Sequence, residues 1–155
     1  MKNKIKSTII ITAENQERFI ERCIKSCLNQ SVKNIEIIII FTKLKNISVL
    51  KKKYLSKNIV FLNITKKINK PTQDQLFKIK QGLLISKGKY IFLLDGDDTY
   101  KKSKVKEAIN SIKDRKILFL DNYENNKNNI KQINKVHGFK EANLYKTLIN
   151  AWPKG

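Results

Sequence analysis

Apolar positions along the chain alternate between short solid runs and helical stripes. Ser7 to Thr12 is β-branched at nearly every position, which predicts a strand buried on both faces, as in a parallel sheet. Phe19, Ile20, Cys23, Ile24, Cys27 and Leu28 then recur at i, i+1, i+4, i+5, i+8 and i+9. That spacing predicts an amphipathic helix, with Asn15 as its N-cap and Glu17 in its first turn. Ile35 to Phe41 predicts a second buried strand and Asn58 to Ile64 a third, with a short basic helix from Lys45 to Leu55 between them.

After a polar connection from Lys66 to Pro71, Thr72 offers a cap to a helix carrying Leu76, Ile79, Leu83 and Leu84 on one face. Gly88 is placed to end that helix at C′. Tyr90 to Leu94 predicts the fourth strand. Ser103 then offers a cap to a helix with Val105, Ile109 and Ile112, and Ile117 to Tyr123 predicts a fifth strand. Asn122 to Asn134 is rich in Asn and Lys, the composition of an exposed hairpin or loop, and Leu144, Leu148 and Ile149 predict a short last helix. Strand–helix–strand alternation of this kind gives βαβ units with right-handed crossovers. The expected fold is α/β: a Rossmann-like three-layer domain, its central sheet mostly parallel and flanked by helices. At 155 residues, with no internal repeat and no Pro-rich linker, residues 1–155 are expected to form a single domain.

Composition adds a strong positive charge, formally +20. Of 33 basic residues only Arg18, Arg22 and Arg115 are arginine, so bidentate base readout is disfavoured and no specific nucleic-acid partner is expected. A diffuse lysine field suits phosphates, acidic glycans or an anionic membrane surface. Compositional drift toward Lys, Asn and Ile explains it equally well. Cys23 and Cys27 lack the further ligands of a structural zinc site, and their spacing places both on the inner face of a helix as core thiols in a reducing compartment. No apolar run reaches the length of a bilayer span or a secretory leader. A cytoplasmic protein is predicted, with the inner membrane face as a candidate peripheral contact.

Candidate chemistry gathers just after the fourth strand, in Asp95-Gly96-Asp97-Asp98. Ligands of open α/β sheets sit beyond the carboxyl ends of the strands. Three carboxylates in four positions repel one another unless a cation or strong donors lie between them, and a hard divalent ion held by oxygen answers that need. A polar turn after a strand uses the same residue types. An EF-hand loop is excluded, because Tyr100 stands where Gly is required and Lys106 where Glu is required.

The order of features resembles the nucleotide-binding half of a family 2 glycosyltransferase, a GT-A fold. The strand Ser7-Thr8-Ile9-Ile10-Ile11-Thr12, the helix ending Ser26-Cys27-Leu28-Asn29-Gln30-Ser31 and the phrase Lys33-Asn34-Ile35-Glu36-Ile37-Ile38-Ile39 look like its first three landmarks. Gly82 to Asp98 is similar to the family's segment leading into its Asp-x-Asp motif. The resemblance implies a hexosyltransferase-like, inverting enzyme with a nucleotide-diphosphate sugar as donor and a glycan or lipid-linked molecule as acceptor. It implies Mg²⁺ or Mn²⁺ held by Asp95, Asp97 and Asp98, with Thr12, Glu14, Thr42 and Lys80 joining Asp95 and Asp97 around the donor. Cell-surface polysaccharide synthesis is the kind of process it implies.

Departures are specific. The family's second strand usually ends in two aspartates, here Phe41 and Thr42; its first strand ends Pro-Thr-Tyr-Asn, here Ile11-Thr12-Ala13-Glu14; and its Arg-Asn of the third helix falls on Ile79 and Lys80. An inverting transfer needs a base for the acceptor hydroxyl proton, and the family's pattern places that Asp and the acceptor pocket past Gly155. The catalytic base is therefore unassigned, and a truncated or degenerate copy lacking the acceptor-binding part is expected. Two alternatives follow: a catalytically degenerate binding domain of this fold, and a haloacid dehalogenase-type phosphatase using Asp95 and Asp97 of Asp-x-Asp-x-Thr. The phosphatase reading lacks the later acidic pair that its chemistry needs.

Overall fold

The computed structural model describes residues 7–45, 47–65, 68–112, 118–119 and 136–137. It divides into two units, 1–107 and 108–155. In the first, strands β1 (Ser7–Glu14), β2 (Ile35–Thr42), β3 (Ile59–Asn63) and β4 (Tyr90–Asp95) alternate with helices α1 (Ile20–Leu28), α2 (Ile47–Lys53) and α3 (Pro71–Ile85). Helix α4 (Lys104–Ile112) begins in the first unit and ends in the second. The second unit also holds an antiparallel pair, β5 (Leu118–Phe119) with β6 (Val136–His137), in which Leu118 faces His137. The loop expected over Asn122 to Asn134 and the helix expected around Leu144 to Ile149 lie outside the described residues.

The four long strands form one parallel sheet in the order β3-β2-β1-β4. Ser7 is level with both Ile35 and Tyr90, and Ile37 is level with Ile59, so all four strands enter at one edge and leave at the other. The solid apolar runs of β1 and β2 became fully covered strands, as two-sided burial requires: Ile9, Ile10, Ile11, Ile37, Ile38, Ile39 and Ile40 are all buried, whereas β3, expected to be buried, is half-covered because it lies at the edge of the sheet, with Val60 exposed. Alternation along the strands turns Ile10, Ile38 and Ile40 toward one face, where Leu62, Leu83 and Leu93 pack against them. Helix α3 lies on that face at Gly82, where a side-chain carbon would come within 2.7 Å of Ile10 Cγ2 and of Ile40 Cδ1. The opposite face receives α1 through its buried residues Ile20, Cys23, Ile24 and Cys27. Both cysteines are free and buried, as their spacing predicted.

Helix ends depart from the sequence reading. Asn15 does not cap α1; it takes a left-handed backbone, φ 51°, that asparagine tolerates better than most residues. A turn intervenes, in which the Gln16 carbonyl accepts from the N–H groups of Phe19 and Ile20 at 2.9 and 3.0 Å. Helix α3 starts with Pro71 in its first turn, where the missing N–H costs nothing, rather than after a Thr72 cap. Its end is closed by Ser86, whose hydroxyl donates to the Leu83 carbonyl at 2.9 Å. Gly88 serves close packing instead of a C′ turn: its N–H donates to Thr8 Oγ1 at 2.9 Å, and a side-chain carbon there would collide with the Thr8 backbone. That hydroxyl in turn donates to Glu36 Oε2 at 2.8 Å, and the Lys87 N–H donates to the same oxygen at 3.0 Å. Glu36, only 2% exposed, thereby ties the loop before β4 to β1 and β2.

Candidate functional site

The chain steps from β1 to β2 to β3 in one direction and then returns to place β4 on the other side of β1. That reversal, beyond the carboxyl ends of β1 and β4, is where open α/β sheets form their ligand crevice. Thr12 and Asp95 are register partners at this point. Thr12 Oγ1 donates to Asp95 Oδ1 at 3.0 Å, and Gln75 Nε2, from α3, donates to the same oxygen at 2.7 Å. Two strands and one helix therefore fix one carboxylate, while its second oxygen accepts none of these bonds.

The acidic turn is built onto the same node. Gly96 N donates to the Thr12 carbonyl at 2.9 Å, and Asp98 N donates to the Asp95 carbonyl at 3.0 Å. A side-chain carbon on Gly96 would come within 2.9 Å of Ala13 Cβ and also meet Gln16, so only glycine lets the turn lie this close to β1. Arg22 of α1 donates through Nη2 to the Asp97 carbonyl at 2.8 Å, and its guanidinium lies 5.5 Å from the centre of the Phe19 ring. The Cys23 thiol reaches the Asp95 carbonyl at 3.6 Å. Asp97 is exposed and Asp98 half-buried. Burial, and then the neighbouring Asp97 and Asp95, push the Asp98 carboxyl above the usual carboxylate range, opposed by Arg22.

Among the described residues no three carboxylate, thiol or imidazole groups are gathered into a ready metal cage. The arrangement fits a hard divalent ion in another way. Mg²⁺ is commonly held by one or two carboxylates, with water and substrate phosphate completing its shell. Here a positioned carboxylate, Asp95, stands beside a second acid whose ionisation is held back by burial and then by like charge, and a cation between them would favour the charged form of both.

The remaining expected site residues fall at different distances from this node. Glu14 is level with Thr42 across β1 and β2. Its carboxylate accepts from Lys43 Nζ at 3.2 Å and lies 3.9 Å from Lys78 Nζ. Thr42 Oγ1 is buried and has no hydrogen-bond partner among the described residues. Phe41 is buried in the core. Lys80 is exposed on α3. The lysine that α3 turns inward is Lys78, 3% exposed, ion-paired with Asp74 at 2.5 Å. Asp74 and Lys78 stand four apart, a spacing visible in the sequence; Gln75 and Arg22 carried no such signal.

A parallel sheet with helices on both faces and a strand-to-acid turn at its switch point is the GT-A type of α/β fold. The model of the family described as glycosyl transferase family 2 matches residues 8–155, and the chain belongs to that family. Among solved structures, S. aureus TarS 1-349 in complex with UDP shares the fold at a TM-score of 0.64 and 19% identity, over 82% of this chain and 38% of that one. The same protein with UDP-GlcNAc aligns at 20% identity and a TM-score of 0.64, over 82% of this chain and 37% of that one. The mannosyltransferase PcManGT from Pyrobaculum calidifontis, in complex with GDP-Man and Mn²⁺, aligns at a TM-score of 0.60 and 12% identity, over 72% of this chain and 33% of that one. The chain thus spans less than two-fifths of each of these structures. No curated protein matches the sequence. Among the described residues no helix is long and apolar enough to cross a membrane.

Proposed function

We propose that this chain carries the donor-binding part of a glycosyltransferase, binding a nucleotide-diphosphate sugar with Mg²⁺ or Mn²⁺ for transfer to a glycan or lipid-linked acceptor. The observation that carries the reading is the Asp95 carboxylate, fixed by Thr12 and Gln75 at the mouth of the β1/β4 crevice with Asp97 and Asp98 beside it. Family membership and the nucleotide-sugar complexes of the TarS and PcManGT structures support it.

In this reading Asp95 and Asp97 hold the cation, with Asp98 contributing charge. A divalent ion lowers the barrier by countering the negative charge that develops on the departing diphosphate. Thr12 and Gln75 orient Asp95, so that no reorganisation is needed when donor enters. Arg22 keeps the acidic turn against α1 through the Asp97 carbonyl. Glu14 and the buried Thr42 hydroxyl line the nucleotide side of the crevice. Lys80, exposed on α3, is left to meet phosphate charge, because the charge of the buried Lys78 is matched by Asp74 and Glu14. Inversion and the identity of the base belong to the acceptor side of the reaction and receive no residue here.

Thermal unfolding with Mn²⁺ and a panel of nucleotide sugars tests this reading. A rise in midpoint is expected only when metal and donor are present together, and Asp97→Ala should abolish it. The absence of any such rise would overturn donor binding. A second reading, a degenerate domain that binds donor without turnover, is favoured by Phe41, which lies buried where the family's strand carries an acid. It predicts the same thermal shift with no sugar released.

A further inference from the structure

Parallel topology brings residues from separate parts of the first unit together at the two ends of its sheet. Because all four strands enter at the same edge, the residues just before them are brought together there. Those residues are Lys33 before β2, Lys57 before β3, and Lys87 and Lys89 before β4, all exposed. None of the four belongs to an ion pair among the described residues. Glu36, the acid nearest this edge in sequence, is turned inward onto Thr8 and the Lys87 N–H. The opposite edge carries Glu14, Asp95, Asp97 and Asp98 together with cations, of which Lys43 pairs with Glu14 and Arg22 holds the Asp97 carbonyl.

Helices that connect parallel strands run back toward the entry edge, so their last residues also collect there. Leu28 closes α1, Leu55 follows α2, and Leu84 and Ile85 close α3. All four are exposed, Leu55 by 85% and Leu84 by 70%. Of the seven large apolar side chains exposed among the described residues, these four share one edge with the four lysines.

We propose that this entry edge is a docking surface for an anionic lipid bilayer. Aliphatic side chains among lysines are the composition of an interfacial membrane contact, with leucines entering the headgroup boundary and lysines meeting anionic headgroups. A single-stranded nucleic acid fits poorly, because stacking needs aromatic faces and this edge presents leucine and isoleucine. A second copy of the chain fits poorly too, because it would set lysine against lysine at a formal charge of +20. Docking by this edge holds the Asp95 end away from the bilayer by about the length of the eight-residue β1, roughly 25 Å. The crevice stays open to water, so membrane and donor binding are separable measurements.

Flotation of the full chain with phosphatidylcholine vesicles, with and without phosphatidylglycerol, tests the proposal. Binding is expected only to the anionic vesicles. Changing Lys33, Lys57, Lys87 and Lys89 together to Gln should weaken it on the order of tenfold or more. The same substitution at Lys45 and Lys70, exposed after β2 and before α3 at the opposite edge, should leave nearly all of it. Replacing Leu55 and Leu84 with Ser should weaken binding several-fold at unchanged charge. All these side chains are exposed, so equal unfolding midpoints will show that each variant is folded. Failure of the wild type to float with anionic vesicles overturns the proposal. So do equal losses from the two lysine sets, which would mean a diffuse field, or undiminished binding by the leucine variant, which would mean a general polyanion contact.

Discussion

Thr12 and Asp95 face each other across β1 and β4, 83 residues apart in sequence, and the hydroxyl of one donates to the carboxylate of the other at 3.0 Å. Gln75 donates to the same oxygen from α3. Truncating either donor leaves the carboxylate in place but loosens its aim. Thr12→Val and Gln75→Met should each lower stability by about 1 kcal/mol, and each should reduce the Mn²⁺-dependent donor shift in thermal unfolding. The two effects should couple in a double-mutant cycle because they share one acceptor atom. Strict additivity would show that the two bonds act independently.

Gly96 is the next constraint on the same turn. Gly96→Ala puts a methyl group within 2.9 Å of Ala13 Cβ and against Gln16, and a backbone shift must follow. The expected loss is about 1–3 kcal/mol in denaturant unfolding, together with loss of the metal-dependent donor shift. A fully wild-type donor shift in this variant would contradict the role given to the turn.

At the other end of the sheet, the buried Glu36 accepts from the buried Thr8 hydroxyl and from the part-buried Lys87 N–H. Glu36→Ala leaves the buried Thr8 hydroxyl without its acceptor and frees the part-buried Lys87 N–H, and should cost about 1–3 kcal/mol by chemical denaturation. Glu36→Gln keeps an acceptor oxygen and should cost less.

Glu21 joins α1 to α2 through Lys25 at 2.8 Å and Lys53 at 2.7 Å. Those two hydrogen-bonded lysines lower its carboxyl from the ordinary 4.5 to about 2. The folded value lies below the unfolded one, so this contribution to stability is fully present above about pH 4.5 and fades as the pH falls toward 2. Wild type should therefore unfold at a higher temperature than Glu21→Gln near neutral pH. Their midpoints should converge through that acid window and separate less at high salt, since the pairs are exposed.

The sequence by itself determined the four strands of the parallel sheet and the fold class. Runs such as Ile37 to Ile40 have no polar face to expose, so they could only be covered on both sides, and alternation with helical stripes left a parallel sheet as the way to cover them. It also marked Asp95 to Asp98, because acids following a buried strand need no partner elsewhere to be noticed. Helix ends were less legible: Asn15, Thr72 and Gly88 have the right chemistry for caps, yet tertiary contacts used them otherwise. Only the tertiary structure decided which side chains act together. Register set Thr12 against Asp95, and the approach of α3 brought Gln75 to the same oxygen and buried Lys78 while leaving Lys80 outside. The lysines before β2, β3 and β4 are scattered through the chain, and no local pattern could group them. Parallel strands share an entry edge, and that geometry gathers them onto one surface.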